Sequence, residues 1–205
     1  KIKNYDDYSN NYDTATDFYY AAKNPGSWSE SLKICYIDDF ADQTLGITTT
    51  NLAGLGATVG MGITAAVTGV LPGAGTTAVF TGYVKGIITG ATNDAGGASK
   101  LDVKIVSRVS STGTETRIDY AEGDGFSSFD TSDSVFFTSD TGGVTAAQTP
   151  TTVVDWYDQQ TLGLTNATVY WSTLAPKPGT SIYVDDRQGH NDQLHIAVVD
   201  DTGDV

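Results

Sequence analysis

Cysteine, methionine and histidine are nearly missing from this 205-residue chain, which has one Cys, one Met and two His. A lone cysteine, Cys35, cannot close an internal disulfide. Its setting, Lys33-Ile34-Cys35-Tyr36-Ile37, reads as a small core residue, and the pattern suits assembly in a reducing cytoplasm. The one methionine, Met61, is internal, so the chain reads as processed or excised from a longer product. Basic residues are scarce: 11 Lys and Arg against 25 Asp and Glu give a net charge of −14. Phosphate backbones and anionic membranes both recruit Lys and Arg, so neither nucleic acid nor membrane is an expected partner. Lys1 to Asn11 is polar and lacks the apolar centre of a signal peptide.

The motifs of common chemistries are also missing. No Gly-Lys-Ser/Thr ends a phosphate loop, and Gly54-Leu55-Gly56-Ala57-Thr58-Val59 fails the dinucleotide pattern where Val59 replaces its third glycine. No Gly-x-Ser-x-Gly elbow occurs, and two histidines offer little as general bases. His190, Asp192 and His195, with Asp185 and Asp186 nearby, are conceivable metal ligands, but His190 and Asp192 fall in a turn and His195 in a strand. Glu122, Asp124, Asp130 and Asp133 crowd one loop without the spacing of a calcium hand, so solvated loop acids are the expectation. No catalytic residue, cofactor-binding residue or metal ligand is therefore assigned, and the chain is not expected to be an enzyme.

What is present is glycine, 23 residues of it, together with threonine, serine and aspartate. That mixture favours strands and turns over a helical bundle. Leu45 to Ile88 is nearly uncharged, but Gly54, Gly56, Gly60, Gly62, Gly69, Pro72, Gly73 and Gly75 puncture it, and threonine weakens any spanning helix there. Strands and loops are expected instead, with a strand around residues 76–90. Leu101, Val103, Ile105 and Val109 alternate with Asp102, Lys104 and Arg108; Thr116, Ile118 and Tyr120 alternate with Glu115, Arg117 and Asp119. Joined by Ser110-Ser111-Thr112-Gly113, they form a predicted hairpin of half-buried strands. Val135-Phe136-Phe137 is a further strand, and Thr141-Gly142-Gly143 to Pro150 a linker.

The flanks look different. Residues 13–23 are a predicted amphipathic helix, with Thr14 and Asp17 as a cap, Ala15, Phe18, Tyr19 and Ala22 as its stripe, and Asn24-Pro25-Gly26 as its end. Leu32 to Ile37 is a strand with Asp38-Asp39 at its wet end. A second helix is predicted from Thr152-Val153-Val154-Asp155 through Trp156, Tyr157 and Gln160 to Gly163. An extended piece follows over Ala167 to Trp171. Ser181 to Arg187 is a short helix capped by Thr180 or Ser181 and stopped at Gly189, and Leu194 to Val199 is a strand. The expected fold is α+β: a discontinuous mixed domain, residues 1–43 and 150–205, holding an inserted β-rich barrel or sandwich, residues 44–149.

Two patches carry a family resemblance. One is the turn Pro176-Lys177-Pro178-Gly179-Thr180-Ser181 with its short helix, the Gly189-His190-Asn191-Asp192 turn, and the strand closed by Asp200-Asp201-Thr202-Gly203. The other is Ala21-Ala22-Lys23-Asn24-Pro25-Gly26-Ser27-Trp28 before the strand at Leu32. Together, over roughly residues 13–40 and 150–205, the chain resembles the contractile tail sheath proteins of myophages, especially those of cyanobacterial phages. The resemblance implies a structural virion protein, assembled in the host cytoplasm, that polymerises around a tail tube and contracts during genome delivery. It implies other sheath subunits and the tube as partners, reached mainly through parts beyond this segment, and outer domains inserted on the outside of the tail. Strong like charge predicts that this segment alone is monomeric. The other function considered is a surface-displayed adhesin-like or carbohydrate-binding module, with Tyr83, Phe126 and Phe129 lining a groove.

Overall fold

The computed structural model describes residues 2–14, 19–23, 26–72, 79–138 and 147–201. Its first helix, α1 (Tyr5–Asn11), starts at Asn4, whose side chain accepts a 2.8 Å bond from the Asp7 N–H. Asp6 and Asp7 in the first turn suit the positive end of the helix. The helix expected over 13–23 is not found in its described part: residues 19–23 are not helical, and Tyr19 is 95% exposed rather than part of a buried stripe. Residues 15–18, with Ala15, Asp17 and Phe18, and the Asn24-Pro25 stop lie outside the described residues.

β1 (Leu32–Ile37) forms as the sequence predicts. β2 (Gln43–Ile47), β3 (Gly62–Val70) and β4 (Val79–Thr92) occupy the uncharged run. β4 is long and carries three glycines for a physical reason. A Cβ on Gly82 would lie 2.0 Å from the Val109 carbonyl oxygen, and one on Gly86 would meet Val103 at 2.7 Å. The register with the next strand shifts between Lys85 and Gly86, so Gly86 marks a bulge that brings backbones close together. That next strand, β5 (Ser99–Ser110), buries Leu101, Val103 and Ile105, as its alternation requires. β6 (Glu115–Arg117) pairs with it to complete the hairpin. Ile118 and Tyr120 lie beyond that short strand and pack half-buried against the core.

β7 (Val135–Phe137) pairs with β3, and β8 (Thr152–Asp155) pairs with β2. β8 replaces the helix expected over 152–163, and only a short 3₁₀ turn, Tyr157–Gln159, follows it. Val153 and Val154 are β-branched and find β partners in Leu45 and Thr44. Asp155 then caps the turn, accepting from the Tyr157 N–H at 2.8 Å. Tyr170 makes a single bridge to Thr161 before a second 3₁₀ turn, Trp171–Thr173. α2 (Ile182–Asp185) is capped by Ser181, while the Thr180 hydroxyl instead accepts from the Asn191 N–H. β9 (His195–Asp200) ends the described chain.

Among the described residues all strand pairings are antiparallel and fall into two sheets. Seven strands form one, in the order β7-β3-β4-β5-β2-β8 with β6 on β5; β1 and β9 form the other. The architecture is mixed and mostly β, within the α+β class. The core is also double. The larger cluster joins Leu45, Ile47, Leu52, Ile63, Val84, Ile88, Phe129 and Phe137 on the large sheet's inner face. The smaller one joins Cys35, Ile37, Ala41, Trp156, Tyr157, Leu162 and Trp171 beneath β1 and β9. β8 lies within residues 150–205 but belongs to the large sheet, so the change from one core to the other falls at Asp42-Gln43 and Asp155-Trp156.

Gln43 locks a loop onto the larger core. Its buried amide donates to the Phe129 carbonyl at 3.0 Å and accepts from the Phe129 N–H at 2.8 Å. Gln43→Ala leaves both backbone groups buried without partners, so it is expected to cost about 2–4 kcal/mol by denaturant titration. A change in midpoint corresponding to less than about 0.5 kcal/mol would show that the clamp is dispensable.

Candidate functional site

The strongest concentration of buried charge sits between the two cores. Asp39 and Asp42 lie in the β1–β2 connection, Lys104 on β5, and Lys177 in the loop before α2. Lys104 Nζ is 2.5 Å from Asp39 Oδ2 and 3.0 Å from Asp42 Oδ1. Lys177 Nζ is 3.0 Å from Asp39 Oδ1 and 2.5 Å from Asp42 Oδ1. The Ile105 N–H donates to Asp42 Oδ2 at 2.8 Å. The carboxylate side chains are only 9% and 3% exposed. Two cations and two anions cancel, so the cluster buries no net charge, which is the condition for tolerating ions away from water.

Lys177 also stands over the Tyr120 ring, 5.5 Å from its centroid. Burial pulls the Lys177 ammonium toward its neutral form, but bonds to Asp42 and Asp39 and their charge outweigh this and hold its pKa above the ordinary 10.5. Burial, followed by the negative charge of Asp155, pushes the Tyr120 phenol far above its ordinary 10.0. Both groups are bound more tightly to their protons in the folded chain than in the unfolded one. Their stabilising contribution is complete below about pH 10 and is lost as pH rises beyond it. Thermal melts should therefore fall off above about pH 10, and more gently in a Lys177→Met/Tyr120→Phe variant. An alkaline limb of equal steepness in both proteins would contradict this assignment.

A cleft of about 740 Å³ opens beside the cluster, lined also by Glu115, Arg117, Tyr120, His190 and Asn191. Its charges are mixed in sign, and Asp39, Asp42, Lys104 and Lys177 among them are engaged with one another. Glu115 accepts from the Ser107 hydroxyl and Lys85, which lower its pKa. Chemically, the arrangement is suited to holding two cores in register.

The residues weighed from sequence are placed differently. His195 Nε2 is bonded to the Pro176 carbonyl at 2.8 Å. Asp192 accepts from the Ser181 N–H and hydroxyl, each at 2.7 Å, and these bonds lower its pKa. Among the described residues, no group of three or more His, Cys, Asp or Glu side chains is arranged to hold a metal. Asp124 serves its own turn, accepting from the Phe126 N–H and Ser127 hydroxyl; Asp130 does the same for Ser132. Gly54 and Gly56 belong to a short 3₁₀ turn, Ala53–Leu55, with Gly56 at φ 75°. The proposed aromatic groove does not assemble. Phe129 is a core residue at 2% exposure, and Phe126 packs edge-on to Phe80 at 6.3 Å, leaving only Tyr83 exposed. Phe129 is taken inward because Gln43 holds its backbone on both sides.

Sequence reasoning missed the four charged residues of the seam. Asp39 looks like the wet end of a strand, and Lys104 looks like the polar half of an alternation. Among the described residues, no helix is long and apolar enough to cross a membrane. Comparison with protein-family models, curated proteins and solved structures finds no match.

Proposed function

We propose that this chain is the outer portion of a contractile tail sheath subunit, a structural virion protein that does its work by shape and contact rather than by catalysis. The observation that carries the reading is the way the chain enters and leaves. β1 and β9 are antiparallel neighbours, with Leu32 opposite Asp200, and the Asp201 N–H donates to the Ser31 carbonyl at 2.9 Å. Residues 32–200 thus stand on two adjacent strands, as a segment planted on the outside of a larger body would. In this reading the large sheet, from Gln43 to Asp155, is the insertion, the residues before and after it are its base, and the neutral charged seam holds one to the other.

The charge balance supports a peripheral position. Copies carrying −14 each repel within a Debye length of about 8–10 Å, so the outer segments make few contacts with one another. Polymerisation around the tube then rests on other parts of the subunit, and contraction draws on repacking of those contacts. In sedimentation velocity the isolated chain runs as a monomer; a stable ring or filament would place polymer contacts here and contradict the reading. Mass spectrometry of purified contractile-tailed particles should find these peptides in an abundant tail protein, and finding them only in a capsid protein or a soluble enzyme would overturn it.

A further inference from the structure

The two carboxylates of the charged seam are not held alike. Asp42 accepts hydrogen bonds from the Ile105 N–H, from Lys104 and from Lys177. Asp39 Oδ1 is buried and, among the described residues, receives no aligned hydrogen bond, although Lys177 Nζ stands 3.0 Å away. Asp39 Oδ2 lies 2.5 Å from Lys104 Nζ. A carboxyl C–O bond is about 1.2 Å long, so this nitrogen is at most about 3.7 Å from Asp39 Cγ. Reacting atoms poised for attack are about 3–3.5 Å apart. The Lys104 nitrogen also donates to Asp42 Oδ1 at 3.0 Å, which places a proton acceptor beside it.

We propose that the seam is a self-modification site, where Lys104 Nζ and the Asp39 side-chain carboxyl condense to an amide and release one water. The bond between Lys104 Nζ and Asp39 Cγ forms, and the bond between Cγ and Oδ2 breaks. Of the three ammonium protons, one stays on the amide nitrogen and two leave with Oδ2 as water. Asp42 Oδ1 carries both in turn. It takes the first to free the nitrogen lone pair and passes it to Oδ2. It takes the second from the tetrahedral intermediate and delivers it as Oδ2 departs. The Lys177 ammonium faces Oδ1, where negative charge collects in that intermediate.

Lys177 is equally close to Asp42, at 2.5 Å, but that pair keeps its charges. Against the pull of burial, the bonds to Asp42 and Asp39 hold the Lys177 proton above its ordinary pKa. After condensation this one ammonium and one carboxylate remain, so the seam stays neutral. In water the separate ions would be favoured over the amide. Here burial penalises them, and the fixed approach supplies a high effective concentration. The new bond joins the connection after β1 to β5, across the two cores, and closes residues 39–104 into a ring. The inference stands on the seam alone and does not depend on the function proposed above.

Intact-mass spectrometry of the purified 205-residue chain tests this directly. The expected mass is one water below that of the sequence, and proteolysis should yield a peptide pair joined through Lys104 and Asp39. Lys104→Arg keeps the cation but removes the nucleophile, so it should restore the full mass, as should Asp39→Ala. Asp42→Asn should slow the linkage about a hundredfold or more, followed by mass after cell-free synthesis. A chain that is folded by circular dichroism yet carries its full sequence mass would overturn the proposal. So would a linkage mapped to other residues. A water loss that survives in Lys104→Arg would overturn it too, since it identifies a cyclic imide of the kind Asp124-Gly125 can form.

Discussion

Asp42→Ala lowers the stability of this protein by about 3–5 kcal/mol, the cost of leaving a buried charge without its partner. The Asp42 side chain is 3% exposed and satisfies Lys104, Lys177 and the Ile105 N–H together. Removing it leaves two ammonium groups beside one carboxylate in a poorly hydrated seam. For a chain of this size each kcal/mol shifts the melting temperature by about 2–4 °C, so a fall of roughly 6–20 °C is expected by calorimetry. The whole network behaves differently from its parts. Replacing all four members with apolar residues, as Asp39→Leu, Asp42→Leu, Lys104→Met and Lys177→Met together, should cost less than Asp42→Ala alone, because no ion is then left unpaired. If the fourfold variant is the less stable of the two, the seam contributes net attraction beyond neutralising itself.

Phe137→Ala is expected to cost about 3–5 kcal/mol, through lost transfer free energy and the cavity left behind. Phe137 is fully buried on β7, opposite Ile63 of β3, in the floor of the larger core. Its neighbour supplies the control. Phe136 points to the other face of the same strand and is only half-buried, so Phe136→Ala should cost about 1 kcal/mol or less. Equal losses in urea titrations would mean that the strand is shifted by one residue, since such a slip exchanges the two faces.

Where one face of a strand is buried and the other wet, the architecture could be read from residues alone. Leu101, Val103 and Ile105 announce β5 because burial selects every second side chain and nothing competes with that signal. The sequence of β1 likewise fixes its bounds at Leu32 and Ile37. β8 was hidden because Val153, Trp156, Tyr157 and Gln160 fit helical spacing equally well. What decides the matter is the pairing of Val153 and Val154 with β2, a contact more than a hundred residues away along the chain. α1 was hidden for the opposite reason: none of its residues is fully buried, so it leaves no apolar stripe, and its local marks are the Asn4 cap and the first-turn aspartates. The seam was the least legible part. Asp39, Asp42, Lys104 and Lys177 look like ordinary surface charge until the fold brings three distant segments together.

Where this chain sits on an assembled particle is the most direct test of the account. Gold-labelled antibodies raised against residues 44–149 should decorate the outside of contractile tails along their length, in the extended and the contracted state alike. Labelling confined to the capsid, or unlabelled tails in particles shown by mass spectrometry to contain the chain, would contradict the claim that it is a scaffold displayed on the tail's exterior.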